Sequence, residues 1–179
     1  MENRNWTVIR AIRHARHDWM NQIQLIKGFM ALGKVEEAER AIETAIVQAR
    51  QEAHLCNLCL PNFAELILTF NWEGHSFELE YEILDQNCTI AVNDEKLTEW
   101  MASLLGAIEK HIAQFADNRL YLSINQEANG VRFFFEFSGI ITDEGSLTME
   151  LVQLLKAPHV KRGKIHSHTG EDMRFEAVV

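Results

Sequence analysis

Five polar residues lie along one stripe of a helix-like run near the start of the chain: Arg10, His14, His17, Asn21 and Gln24. Steps of four, three, four and three keep them on one face at about 100° per residue. The two imidazoles are the groups with chemistry to offer. A neutral imidazole, with a pKa of about 6.5, is nucleophilic near neutrality without a separate activating base. Phosphoryl transfer suits such a group, because it needs mainly positioning and charge balance. Arg13, Arg16 and the amide of Asn21 stand close enough in sequence to orient or balance a phosphoryl group on His17. Two other meanings compete. A polar stripe is most often a solvated face. His14, His17 and Asp18 also supply two imidazoles and a carboxylate for a metal, although Asp18 points about 100° away from His17 and no further ligand cluster follows. Spacing leaves all three open.

The stripe needs a rigid carrier. Residues 3–32 read as one long helix, with Ile9, Ile12, Trp19, Ile23, Ile26 and Met30 in alternating steps of three and four and Arg16 as the polar member of the series. Val8, Ala15 and Phe29 widen this apolar stripe, and His17 points roughly opposite Ile26. "LGK" at 32–34 makes a turn with Gly33 as a left-handed cap. Residues 35–56 form a second helix with a short-chained stripe: Val35, Ala38, Ala41, Ile42, Ala45, Ile46, Ala49 and Ala53. So short a turn makes the helices antiparallel neighbours. One hairpin does not cover stripes this broad. Two hairpins in a four-helix bundle do, which implies a homodimer; the alternative is packing against the chain's own C-terminal region.

Pro61 suits the first turn of a third helix over 61–71. The pattern then changes to strands and helices: a strand at 75–84, an amphipathic helix at 93–114 with an Asn or Asp cap, strands "LYLSINQ" and "VRFFFEF" around a turn at "EANG", a helix at 146–156, and strands at 163–168 and 173–179. The predicted fold is α+β, a helical hairpin followed by an α/β sandwich. The boundary near 57–61 gives domains 1–58 and 59–179.

Composition narrows the function. The net charge is −9, yet residues 1–34 hold six basic and two acidic residues, a balance of +4 that leaves −13 for the remainder. An acidic chain is a poor nucleic-acid binder, while a basic first helix suits an acidic or phosphorylated partner. No apolar run reaches the length of a membrane span, and "MENRNWTVIR" does not read as a signal peptide, so a cytoplasmic protein is expected. Cys56, Cys59 and Cys88 are read as free thiols, and "CNLC" lacks the second pair of a zinc site. His166 and His168 in "KIHSHTG" are read as a solvated strand end.

"RHDWMNQIQLIKGFMALGKVEEAERAI", residues 16–42, resembles the phosphoacceptor helix and turn of the sporulation phosphotransferase family of spore-forming bacilli, the second-stage B component of their phosphorelay. Its His-Asp-Trp-x-Asn core is also similar to the dimerisation helix of citrate- and malate-type sensor histidine kinases. "LTFNWEGHSFELEYEIL" and "MRFE" extend the resemblance into the second domain. The resemblance implies a dimeric four-helix bundle. It implies that His17 accepts phosphate from the aspartate of one response regulator and passes it to the aspartate of another. Asp18, Asn21, Arg16 and Arg13 then support the transfer, and Arg10, His14 and Gln24 lie where the partner docks. Mg²⁺ is expected on the partner, with no metal or cofactor of the chain's own.

The second domain resembles a kinase ATPase domain that has lost its nucleotide chemistry. In "LLGAIEKH", 104–111, Lys110 and His111 match the kinase pattern but Ala107 stands where Asn holds Mg²⁺. In "FSGIIT", 137–142, Gly139 is kept but Phe137 replaces the base-reading Asp, and no glycine-rich lid follows. The expectation is a phosphotransferase with a phosphohistidine intermediate that does not use ATP. Its competitors are a dimeric protein that docks on and inhibits a histidine kinase or response regulator without chemistry, and a kinase with an unusual nucleotide site.

Overall fold

The computed structural model describes residues 6–85, 92–127 and 130–179. The order of elements is α1 (Val8–Ala31), α2 (Val35–Cys56), α3 (Pro61–Phe70), a 3-10 turn (Asn71–Glu73), β1 (Glu78–Ile83), α4 (Asp94–Lys110), β2 (Arg119–Glu127), β3 (Gly130–Ser138), α5 (Glu144–Leu154), β4 (Arg162–His168) and β5 (Asp172–Val178). The chain divides into two compact units, residues 1–52 and 53–179.

The first unit is the helical hairpin. Its first helix starts later than the periodicity predicts. Thr7 is extended, and its Oγ1 accepts the Arg10 N–H at 3.3 Å, which caps α1 at Val8. Gly33 takes φ 69° at the turn, as the left-handed cap requires. Gln22 Nε2 donates to Gln48 Oε1 at 2.6 Å, and Glu52 feels the charge of Asp18. These partners run in opposite directions along the two helices, so the hairpin is antiparallel. Small side chains let the helices approach: Ala38 and Ala45 are buried, whereas α1 has no buried residue. Ile12, Trp19, Ile23, Met30, Ile42 and Ile46 all remain exposed.

The second unit is an α/β sandwich. Its sheet runs β1-β2-β3-β5-β4, with β1 parallel to β2 and the other pairs antiparallel. Alternation buries one face of the sheet. Leu122, Phe135 and Phe175 stand side by side across three strands, the two rings stacked at 4.6 Å. Phe63 and Ile67 of α3, Leu97, Met101 and Leu104 of α4, and Leu147 and Leu151 of α5 close over that face. Each such large side chain contributes about 1.5–3 kcal/mol on burial. Asn93 caps α4 by accepting the Lys96 N–H at 2.9 Å, and Pro61 opens α3.

Two predicted elements are shorter than their hydrophobic pattern. The helix expected to reach residue 114 ends at Lys110, because Ile112 pairs as an extended bridge with Ile141 and the Ala113 N–H donates to the Ile140 carbonyl at 2.8 Å. The strand expected from residue 75 begins at Glu78: His75 is stacked on Phe70 at 3.8 Å and the Ser76 N–H is held by the Glu109 carboxylate at 2.9 Å. Two features of the sequence, the centre of the "EANG" turn and Cys88, lie outside the described residues.

Candidate functional site

The side chain of His17 is 73% exposed on the middle of α1. Its Nδ1 lies 3.4 Å from Asp18 Oδ1 and 3.2 Å from the Asn21 amide nitrogen. Asn21 sits one helical turn on, so the α-helical spacing itself brings it to the ring. The carboxylate favours a proton on Nδ1, whereas the Asn21 amide nitrogen as placed is a donor that faces a lone pair there. Turning the Asn21 amide over presents Oδ1 to the same proton, so both neighbours are satisfied by one tautomer. In that tautomer the lone pair is on Nε2, the ring atom that neither neighbour engages.

Asp18 also bears on the second helix. The Glu52 carboxyl is pushed above its usual range, first by partial burial and then by the nearby charge of Asp18. Glu52 was not singled out from the sequence. It lies 34 residues from Asp18, and no local pattern links the two.

The other stripe residues separate into two groups. His14 is half-buried, with the ring of Trp6 edge-on at 5.3 Å, and the Arg10 guanidinium lies over the same indole at 4.5 Å. Trp6 therefore joins two residues of the predicted docking rim; it was not singled out from the sequence, although its spacing of four from Arg10 places it on the same face. Arg13, Arg16 and Gln24 are exposed, and their side chains make no hydrogen bond or ion pair among the described residues. His14 and His17 have different neighbours, and among the described residues no three His, Cys, Asp or Glu side chains form a metal-binding group.

The predicted remnants of a nucleotide site are tied into the fold. Ala107 is buried on α4 and Phe137 is in the core. Lys110 Nζ donates to Glu150, and His111 Nε2 lies 3.2 Å from the same carboxylate. Those two contacts, Lys110 first, hold the Glu150 carboxyl below its usual range. Four successive backbone donors after β3 are already paired. The N–H groups of Gly139, Ile140, Ile141 and Thr142 donate to Glu171 O, Asn118 Oδ1, Gly170 O and His111 O at 2.8–2.9 Å. Gly139 has a packing reason to be glycine: a Cβ there would lie 2.2 Å from Asn118 Oδ1.

His166 and His168 are separated by a register shift in β4 and meet different carboxylates, Glu176 at 3.4 Å and Glu144 at 2.5 Å. Cys56 and Cys59 are free and exposed. Among the described residues no helix is long and apolar enough to cross a membrane.

Comparison with known proteins covers both units. Residues 59–173 match the family model described as sporulation initiation phosphotransferase B, C-terminal. Residues 1–58 match the alpha-helical domain of the SpoOB-type sensor kinases. The sporulation initiation phosphotransferase B of Bacillus subtilis (strain 168) is 33% identical over 138 residues, which span 76% of this chain and 72% of that protein. Among solved structures, a bacterial phosphotransferase superposes over 97% of this chain and 98% of its own, at 13% identity and a TM-score of 0.44. A histidine kinase from Burkholderia phymatum STM815 superposes over 96% and 88%, at 13% identity and a TM-score of 0.49. The family matches define a phosphotransferase of two-component signalling, built as a helical hairpin and an α/β sandwich. The chain belongs to the sporulation initiation phosphotransferase B family, which acts in the sporulation phosphorelay.

Proposed function

We propose that this chain carries phosphate on His17 between two response regulators, taking it from the aspartyl phosphate of one receiver domain and giving it to the aspartate of another. The observation that carries this is the exposed His17 ring, met at Nδ1 by Asp18 and Asn21, neither of which engages Nε2. The Nε2 lone pair attacks phosphorus, the P–O bond to the donor aspartate breaks, and the donor leaves as a free carboxylate. The resulting imidazolium keeps its Nδ1 proton toward Asp18, whose charge balances it. The return step reverses this onto the acceptor aspartate. Arg13 and Arg16 contribute positive charge beside the transferring group, while Arg10, His14 and Gln24 meet the receiver's rim. Mg²⁺ comes with the receiver.

Residues 1–58 act as the phosphotransfer domain and 59–179 as a domain without nucleotide chemistry. The hairpin works as a homodimer, supported by the apolar stripes that it leaves exposed and by the near absence of buried residues in it. The setting is the cytoplasm, where the receivers are. The test is incubation with a phosphorylated receiver domain followed by analysis of the chain for acid-labile, base-stable phosphate. Label on the wild type that is absent from His17→Ala supports the assignment. Label that persists on His17→Ala overturns it, and a chain that binds the receiver but never takes label is a docking protein without chemistry.

A further inference from the structure

Trp6 continues the polar stripe of α1 backwards, four residues before Arg10 and eight before His14. It stands immediately before the capping residue Thr7, where an apolar side chain commonly packs on the apolar side of the first turns. Here the ring lies 4.5 Å below the Arg10 guanidinium and edge-on to His14 at 5.3 Å. A guanidinium that stacks by its face keeps its N–H edge available. Arg10 makes no ion pair among the described residues, so no carboxylate there takes that edge. His17 lies seven residues, about two helical turns, further along the same face.

We propose that Trp6 preorders Arg10 to grip a carboxylate on the rim of the docked receiver, making the Trp6–Arg10 stack a specificity element for phosphoryl transfer. This rests on the assignment of His17 as the phosphoacceptor. A free arginine side chain loses much rotamer freedom when it forms a bidentate contact, and stacking removes that freedom before the partner arrives. The planar fork matters as much as the charge, so lysine is not an equivalent. The contact belongs to docking and not to the chemical step, because it lies about 10 Å along the helix from His17.

The experiment is a double-mutant cycle on transfer from a receiver domain phosphorylated with acetyl phosphate, in full-length chains that retain His17. Arg10→Ala and Trp6→Ala should each raise KM about fivefold with kcat within about twofold. The double variant should be no worse than either single one. Arg10→Lys should behave like Arg10→Ala, and Trp6→Phe should stay within about twofold of wild type, because a ring still supports the guanidinium. Circular dichroism and sedimentation should be unchanged. Multiplying effects in the double variant, a wild-type KM in Trp6→Ala, or a wild-type KM in Arg10→Lys would each overturn the inference. Failure of the His17 assignment is read separately, from label persisting on His17→Ala.

Discussion

Asp18 Oδ1 lies 3.4 Å from His17 Nδ1, on the residue next in sequence. A carboxylate at that place favours the tautomer with the proton on Nδ1. Phosphorylation is therefore expected on Nε2, and the ¹⁵N chemical shifts of the phosphorylated ring will show it. Replacing the charge-assisted contact in Asp18→Asn should cost about 1.5–3 kcal/mol, or about 10–100-fold in the rate of transfer in both directions. Single-turnover transfer from a phosphorylated receiver measures this. A wild-type rate in Asp18→Asn would mean that Asp18 serves the helix pair and not the ring.

His14 and His17 share a stripe but not an environment. His17→Ala should remove transfer in both directions with the fold intact, because an exposed side chain contributes little to stability. His14→Ala removes the contact with Trp6 and should weaken receiver binding only several-fold, about 1 kcal/mol. Labelling and binding measured on both variants separate the two roles. Loss of label in His14→Ala alone would exchange them.

The exposed stripes of α1 and α2 predict a dimer at micromolar concentration. Sedimentation of the full chain decides it, and a clean monomer would remove the four-helix bundle. Ile23→Glu, with Ile23 exposed on that stripe, should shift the equilibrium strongly toward monomer, since a charge would have to be buried in the bundle core.

No productive Mg-ATP binding is expected. Lys110 and His111 are both turned to Glu150, and the four N–H groups of residues 139–142 already have acceptors. Isothermal titration with Mg-ATP should show no heat of binding at micromolar protein, and no phosphate should appear on His17 from ATP alone. Micromolar affinity with autophosphorylation would restore the kinase alternative.

Asn118 is buried and ties three segments together. Its amide donates to Ser76 O at 2.9 Å and Ala113 O at 2.8 Å and accepts the Ile140 N–H at 2.9 Å. Asn118→Ala leaves these groups without partners and should cost about 2–4 kcal/mol. Gly139→Ala drives a Cβ into the same amide and should destabilise by a comparable amount, about 2 kcal/mol or more. Urea unfolding of both variants tests this. A neutral Gly139→Ala would show that the loop yields to the added carbon.

Much of the scaffold was legible in the chain itself because its signals are local. The 3.6-residue period marked the hairpin helices, Gly33 their turn, Pro61 and Asn93 two helix starts, and two-residue alternation the strands of the sandwich. The His-Asp-Trp-x-Asn run marked the candidate site for the same reason: residues four apart on a helix, such as His17 and Asn21, meet wherever the helix goes. Tertiary structure decided what depends on partners distant in sequence. The approach of Glu52 to Asp18 depends on how α2 lies along α1. The end of α4 at Lys110 depends on a bridge to Ile141, and the need for glycine at 139 depends on Asn118 arriving from the other side of a hairpin. A periodic pattern states which face a residue occupies; only the packed chain determines what meets it there.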